Sequence, residues 1–108
     1  MEDVDIMENV HIDWLWGYCP VQAEGTIDGE KFYFRARGIH WRIGIGGDVV
    51  TNPTWGYGES YGSGPFAAGW MREDEAKEFI VKAVNLYRSG HPSVSFEEVW
   101  TYEQKTAG

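Results

Sequence analysis

Apolar side chains recur at every second position through the first fifty residues and then, past residue 73, at the three-and-four spacing of a helix. Val10, Ile12 and Trp14 alternate with His11 and Asp13, which predicts a half-buried strand near 9–16. Pro20 bounds the next run, where Val21, Ala23, Gly25 and Ile27 alternate with Gln22, Glu24 and Thr26. Asp28-Gly29 is a two-residue hairpin signal, because both residues tolerate positive φ, and it leads into Lys31–Arg37. The pattern therefore predicts a hairpin over 20–37, with Phe32, Phe34 and Ala36 on one face and Lys31, Tyr33, Arg35 and Arg37 on the other. Gly38 opens a second turn. Trp41, Ile43 and Ile45 then mark a fourth strand, Gly46-Gly47-Asp48 a turn, and Val49–Thr51 a short further strand.

Residues 52–70 interleave glycine and proline with Trp55, Tyr57, Tyr61, Phe66 and Trp70. That composition predicts a long aromatic loop packed on the domain with some rings exposed, since structureless loops beyond about 12–15 residues are functional or disordered. Ala76, Phe79, Ile80, Ala83, Val84 and Tyr87 predict an amphipathic helix over 73–89, with Glu73, Asp74 and Glu75 at its positive dipole end, Arg88 at the other and Gly90 as terminator. Ser95 with Glu98 forms a capping box ahead of Val99, Trp100 and Tyr102, predicting a short C-terminal helix. The expected architecture is α+β: one domain over 1–108, with an antiparallel sheet of four to five strands packed against one main helix. Phe32, Phe34, Trp41, Ile43, Phe79, Ile80, Ala83 and Val84 form its expected core.

Charge changes the picture from a generic domain to a binder. The first thirty residues carry Glu2, Asp3, Asp5, Glu8, Asp13, Glu24, Asp28 and Glu30 and no Lys or Arg, residues 1–8 forming an acidic lead segment. Residues 31–46 carry Lys31, Arg35, Arg37 and Arg42 and no acid. Ordinary soluble surfaces mix the signs, so blocks of one sign suggest a field aimed at a partner. A net charge of -8 opposes nucleic acid and anionic lipid as direct ligands. Aromatic residues at 16% supply contact anchors. Cys19 is alone, which excludes an internal disulfide and fits a reducing cytosol, and no apolar run reaches the roughly 18 residues of a membrane span.

Catalytic and metal chemistry find little foothold. His11, His40 and His91 stand singly, without ligand-spaced neighbours, so no metal and no cofactor is expected. Cys19 lacks a nearby base to lower its pKa, and Gly44-Ile45-Gly46-Gly47 lacks the strand–loop–helix context of a phosphate loop. The acids lie on polar strand phases, where nothing desolvates one of them for proton transfer, so the chain is read as a non-enzyme. Two readings of the charge remain. In one, Asp3, Asp5, Glu8, Asp13, Glu24, Asp28 and Glu30 stand where phosphates would and, with Trp55, Tyr57 and Tyr61 as anchors, engage a basic protein. In the other, Arg35, Arg37 and Arg42 with Tyr33 hold an anionic small ligand in a pocket between the 52–70 loop and the sheet. A third role for the cations is simple neutralisation of the acidic segment across adjacent strands.

The run PVQAEGTIDGEKFYFRARG (20–38), with GPFAAGWM (64–71) and DEAKEFI (74–80), resembles a group of small phage and prophage proteins over the larger part of the chain. No catalytic motif comes with that group, so no functional residue carries over. The resemblance implies a context: the host bacterial cytosol, and small acidic inhibitors of defence systems, anti-CRISPR proteins among them, some of which mimic nucleic acid and occupy its grooves. The partner it implies is a basic bacterial protein or nucleoprotein complex.

Overall fold

The computed structural model describes residues 4–17, 20–62 and 67–94. Six strands, each hydrogen-bonded to the next in sequence, form one antiparallel meander: β1 (Val4–Met7), β2 (Val10–Trp16), β3 (Val21–Ile27), β4 (Glu30–Arg37), β5 (His40–Asp48) and β6 (Asn52–Ser60). A 3-10 turn at Ala68–Trp70 and the helix α1 (Glu73–Arg88) follow. The tight turns are possible because Asn9, Asp28, Gly29 and Gly38 take positive φ, which matches the twist of the flanking strands.

The α+β class holds, with six strands where four to five were expected. Both additional elements come from misjudged segments. The acidic lead segment becomes strand from Val4 onward, and the first half of the 52–70 loop is β6. Trp55-Gly56-Tyr57-Gly58 has a strict period of two, its large rings on one face and its glycines on the other; the glycines mimicked a loop. Val49–Thr51 is a turn and not a strand, held by Asp48 Oδ1, which accepts from the backbone N–H groups of Val50 and Thr51 at 3.2 Å each. A hydrogen bond from the Thr51 side chain, and then those from the backbone, hold the Asp48 carboxyl below its ordinary pKa. The predicted C-terminal helix lies outside the described residues.

One sheet face is buried. Val10, Ile12 and Leu15 of β2, Val21, Ala23 and Ile27 of β3, Phe32, Phe34 and Ala36 of β4, and Trp41, Ile43 and Ile45 of β5 join Ala76, Ile80, Ala83 and Val84 of α1 in one cluster. Trp41 is its centre, with ring centroids 5.0 Å from Phe79, 5.7 Å from Phe34 and 5.7 Å from Tyr57. The predicted core residues are all there, Phe79 as a partly buried member at its margin.

The helix is fixed at both ends. Glu75 accepts from the Arg72 backbone N–H at 3.2 Å and from Tyr61 Oη at 2.8 Å. At the other end Gly90 (φ 84°) lets the N–H groups of Gly90 and His91 return to the carbonyls of Tyr87 and Leu86, closing a Schellman motif. The chain then runs back along the outer edge of β6. Trp55 Nε1 donates to the His91 carbonyl (2.7 Å), the Gly56 N–H to Ser93 Oγ (2.9 Å) and the Val94 N–H to the Gly56 carbonyl (2.7 Å). This covers an edge that would otherwise present unpaired backbone groups. Among the described residues no helix is long and apolar enough to cross a membrane.

Candidate functional site

The opposite face of the sheet has the unusual chemistry, and a single β-bulge creates part of it. Ile12 pairs with Gly25 and Trp14 with Glu24, so Asp13 is an extra residue without a cross-strand partner. The inserted residue inverts the alternation. Leu15 turns inward, and Trp14, which simple period-two counting places in the core beside Ile12, moves with Trp16 to the outer face. Their ring centroids lie 5.9 Å apart, and Trp16 is 57% exposed. Gly25 makes the bulge possible: a Cβ there would stand 1.9 Å from the His11 carbonyl oxygen and 2.7 Å from the Phe32 ring.

Register aligns the outer residues in two rows across the strands. One row runs Trp14, Glu24, Tyr33, Gly44, Gly56, and the other Trp16, Gln22, Arg35, Arg42, Gly58. Tyr33 Oη donates to Gln22 Oε1 at 2.5 Å, and the ring is buried although it belongs to the outer face. Burial raises the Tyr33 pKa, with Glu24 adding to the rise while the charges of Arg35 and Arg42 oppose it. Arg35 is half-buried, and its Nε is sealed from solvent with no hydrogen-bond acceptor. Arg37 is exposed and lies opposite His40 in a further row.

Tyr33, Arg35 and Arg42 thus stand in two adjacent rows of the outer face with Arg37 in a third, but the aromatic residues assigned to them do not share that face. Trp55 and Tyr57 lie on the inner face, across the sheet from Arg35, Arg42 and Tyr33, and residues 63–66 of the expected 52–70 loop lie outside the described residues. Nor are Trp55, Tyr57 and Tyr61 free contact anchors. Trp55 is 8% exposed and meets Tyr87 edge-on at 5.4 Å, Tyr57 is sandwiched by Trp41, Trp55 and His91, and Tyr61 meets Phe79 edge-on at 5.8 Å. Burial, and then the Tyr57 hydrogen bond to Glu59 at 2.6 Å, pushes the Tyr57 hydroxyl up to about 12. The sequence reasoning missed Trp14 and Trp16 as surface aromatics; the signal was Leu15 between them, which cannot share a buried face with Ile12 unless a residue is inserted.

The acids divide among three places. Glu8, Asp28 and Glu30 gather at the sheet end where the β1–β2 and β3–β4 turns meet, joined by the Asp28 N–H to Asn9 carbonyl bond (2.9 Å). Asp28 is neutralised there, by Arg88 and not by the basic strand: Arg88 grips both carboxylate oxygens at 2.7 and 3.0 Å and also donates to the Glu8 carbonyl. That hydrogen bond holds the Asp28 carboxyl below its ordinary pKa. Asp13 and Glu24 belong to β2 and β3, Asp13 lying 3.3 Å from His11 Nε2. Asp5 is placed by its backbone pairing with His11 in β1, and Asp3 and Cys19 lie outside the described residues. Arg35 and Arg37 form no ion pair with any acid among the described residues.

No group of three or more His, Cys, Asp and Glu side chains gathers at metal-binding range among the described residues. A shallow cleft at the acidic end is lined by Asn9, Val10, His11, Thr26, Asp28 and Gly29. The chain matches no protein-family model, no curated protein and no solved structure.

Proposed function

We propose that the protein is a non-enzymatic inhibitor, of the phage-encoded anti-defence kind that its sequence resembles, which docks on a basic, nucleic-acid-binding surface of a bacterial protein or nucleoprotein complex. One observation carries the reading. Among the described residues Arg35 and Arg37 form no ion pair with the acids of the first thirty residues; Asp28 is held by Arg88, whose charge also reaches Glu8, and Asp13 faces His11. Carboxylates held on a paired sheet and its tight turns lose little freedom on docking, so their attraction for a basic groove is not offset by ordering cost. The net charge of -8 adds long-range steering toward such a groove and away from nucleic acid itself.

The test is capture of partners from bacterial lysate by the immobilised protein, followed by salt elution. A basic partner should be retained and released as salt rises, because screening shortens the Debye length from about 10 Å at 0.1 M to about 3 Å at 1 M. Replacing Glu8, Asp13, Glu24 and Glu30 together by Gln should slow association at least tenfold, a loss on the scale of about 1.4 kcal/mol. Retention of only neutral or acidic proteins, indifferent to salt and to that substitution, would refute the proposal.

A further inference from the structure

Register puts two tryptophans and two polar side chains into one block of the outer face. Trp14 stands directly opposite Glu24, and Trp16 directly opposite Gln22, on the paired strands β2 and β3. The indoles are 5.9 Å apart with their planes inclined by 45°, and Trp16 is 57% exposed. A tryptophan in solvent adds little cohesion, but on a paired sheet it loses little freedom on contact, and tryptophan is among the side chains that carry most binding energy at interfaces. Both polar neighbours have unused capacity. Gln22 gives its oxygen to the Tyr33 hydroxyl (2.5 Å), which leaves its amide NH2 to donate. Glu24 forms no hydrogen bond or ion pair among the described residues.

We propose that this block binds an extended, proline-rich segment of another protein that carries a basic flank. A polyproline helix has no internal hydrogen bonds, so its carbonyls are free to accept from the Gln22 NH2, and its prolines have no N–H that needs an acceptor. Its rise of about 3.1 Å per residue sets the two rings of a Pro-X-Pro sequence about 6.2 Å apart along the axis, close to the separation of the indoles. The same helix turns between one contact and the next, which suits inclined ring planes better than coplanar ones. Because the helix is preformed, stacking its prolines on aromatic rings costs little ordering. Glu24, beside Trp14, then takes a Lys or Arg that follows the prolines, and the net charge of -8 draws that flank in. Charge also selects the occupant. A neutral sugar, the other ligand that stacks on indoles, gains nothing from that long-range field, and a second copy of this chain has only four isolated prolines and the same negative charge.

Peptide binding of this kind is separate from the docking of the acidic surface: it is read on the isolated chain, and its failure would leave the salt-eluted capture untouched. The experiment titrates the full chain with acetyl-PAPPAPRR-amide, following tryptophan fluorescence and calorimetry, with the all-alanine replacement of its prolines, the acetyl-PAPPAPEE-amide version and maltohexaose as separate arms. The first peptide should saturate the protein and bind at least about tenfold tighter than either altered peptide. Trp16→Ala, at an exposed position where folding is unaffected, should weaken it about tenfold, and Glu24→Gln should narrow the preference for the arginine-ended over the glutamate-ended peptide several-fold. Lys82→Gln, in an ion pair with Glu59, should change nothing. No peptide binding at concentrations on the order of 1 mM, equal binding of the proline-free peptide, wild-type affinity in Trp16→Ala, an unchanged preference in Glu24→Gln, or binding of maltohexaose alone overturns the proposal.

Discussion

The two faces of the sheet are built from the same residue types and do opposite things with them. On the inner face Trp41 is wholly enclosed by Phe34, Tyr57 and Phe79, and α1 seals the layer, so its aromatic area is used for cohesion. On the outer face Trp14 and Trp16 lie in the rows of Gln22, Glu24 and Arg35, on the side of the sheet away from α1, and Trp16 is 57% exposed. Burial converts an aromatic ring into stability, whereas an exposed ring on a rigid sheet contributes little to cohesion. The inner face has an imperfection of its own, since Trp41 Nε1 is buried without an acceptor, a cost the surrounding packing outweighs.

Tryptophan truncation breaks the comparison most severely. Trp41→Ala should cost about 4 kcal/mol by leaving a large cavity at the centre of the core, while Trp16→Ala should shift stability by no more than about 0.5 kcal/mol; urea denaturation of both variants measures the contrast. Equal losses would mean that the outer face is a second core. Next is Gly25→Ala, where the new Cβ collides with the His11 carbonyl oxygen. A loss of about 3 kcal/mol is expected in the same assay, and if the bulge relaxes to relieve it, Trp14 fluorescence should shift to the blue as that ring turns inward.

The smallest effect is alkaline. Folding holds the Tyr57 hydroxyl protonated up to about 12, against an ordinary value of 10.0, so its contribution is intact below pH 10. Above that, the unfolded chain gives up its proton first and stability falls as the pH climbs toward 12. A melting temperature that declines over this range, with the decline shallower in Tyr57→Phe, is the expected result. A curve identical in the variant would show that Tyr57 is not the titrating group.

Much of the architecture was legible along the chain because local chemistry dictates it. Asp28-Gly29 turns where positive φ is tolerated, Phe32, Phe34, Ile43 and Trp41 alternate into the core, and Glu73–Arg88 has its apolar stripe, acidic first turn and terminating Gly90 in one sequence window. The 52–60 segment was misread because glycine marks both turns and the bare side of a strand. The two cases differ only in whether a neighbouring strand, here β5, offers a ladder to pair with.

The candidate site was half legible. Tyr33, Arg35 and Arg42 share a face by simple alternation, and their grouping follows from the hairpin alone. That Trp14 and Trp16 join them while Trp55 and Tyr57 do not depends on one inserted residue at Asp13 and on the pairing of β6, both of which arise from contacts between segments far apart in the chain. The destination of Asp28 is of the same kind, since its partner Arg88 is sixty positions away and reaches it only once α1 has packed across the sheet. Composition and periodicity therefore determined which side chains are hydrophobic, where the chain turns and that charge is unevenly shared. Tertiary structure decided which rings face solvent and which charges are cancelled, because register and ion pairing are properties of strands brought side by side, and no local window contains them.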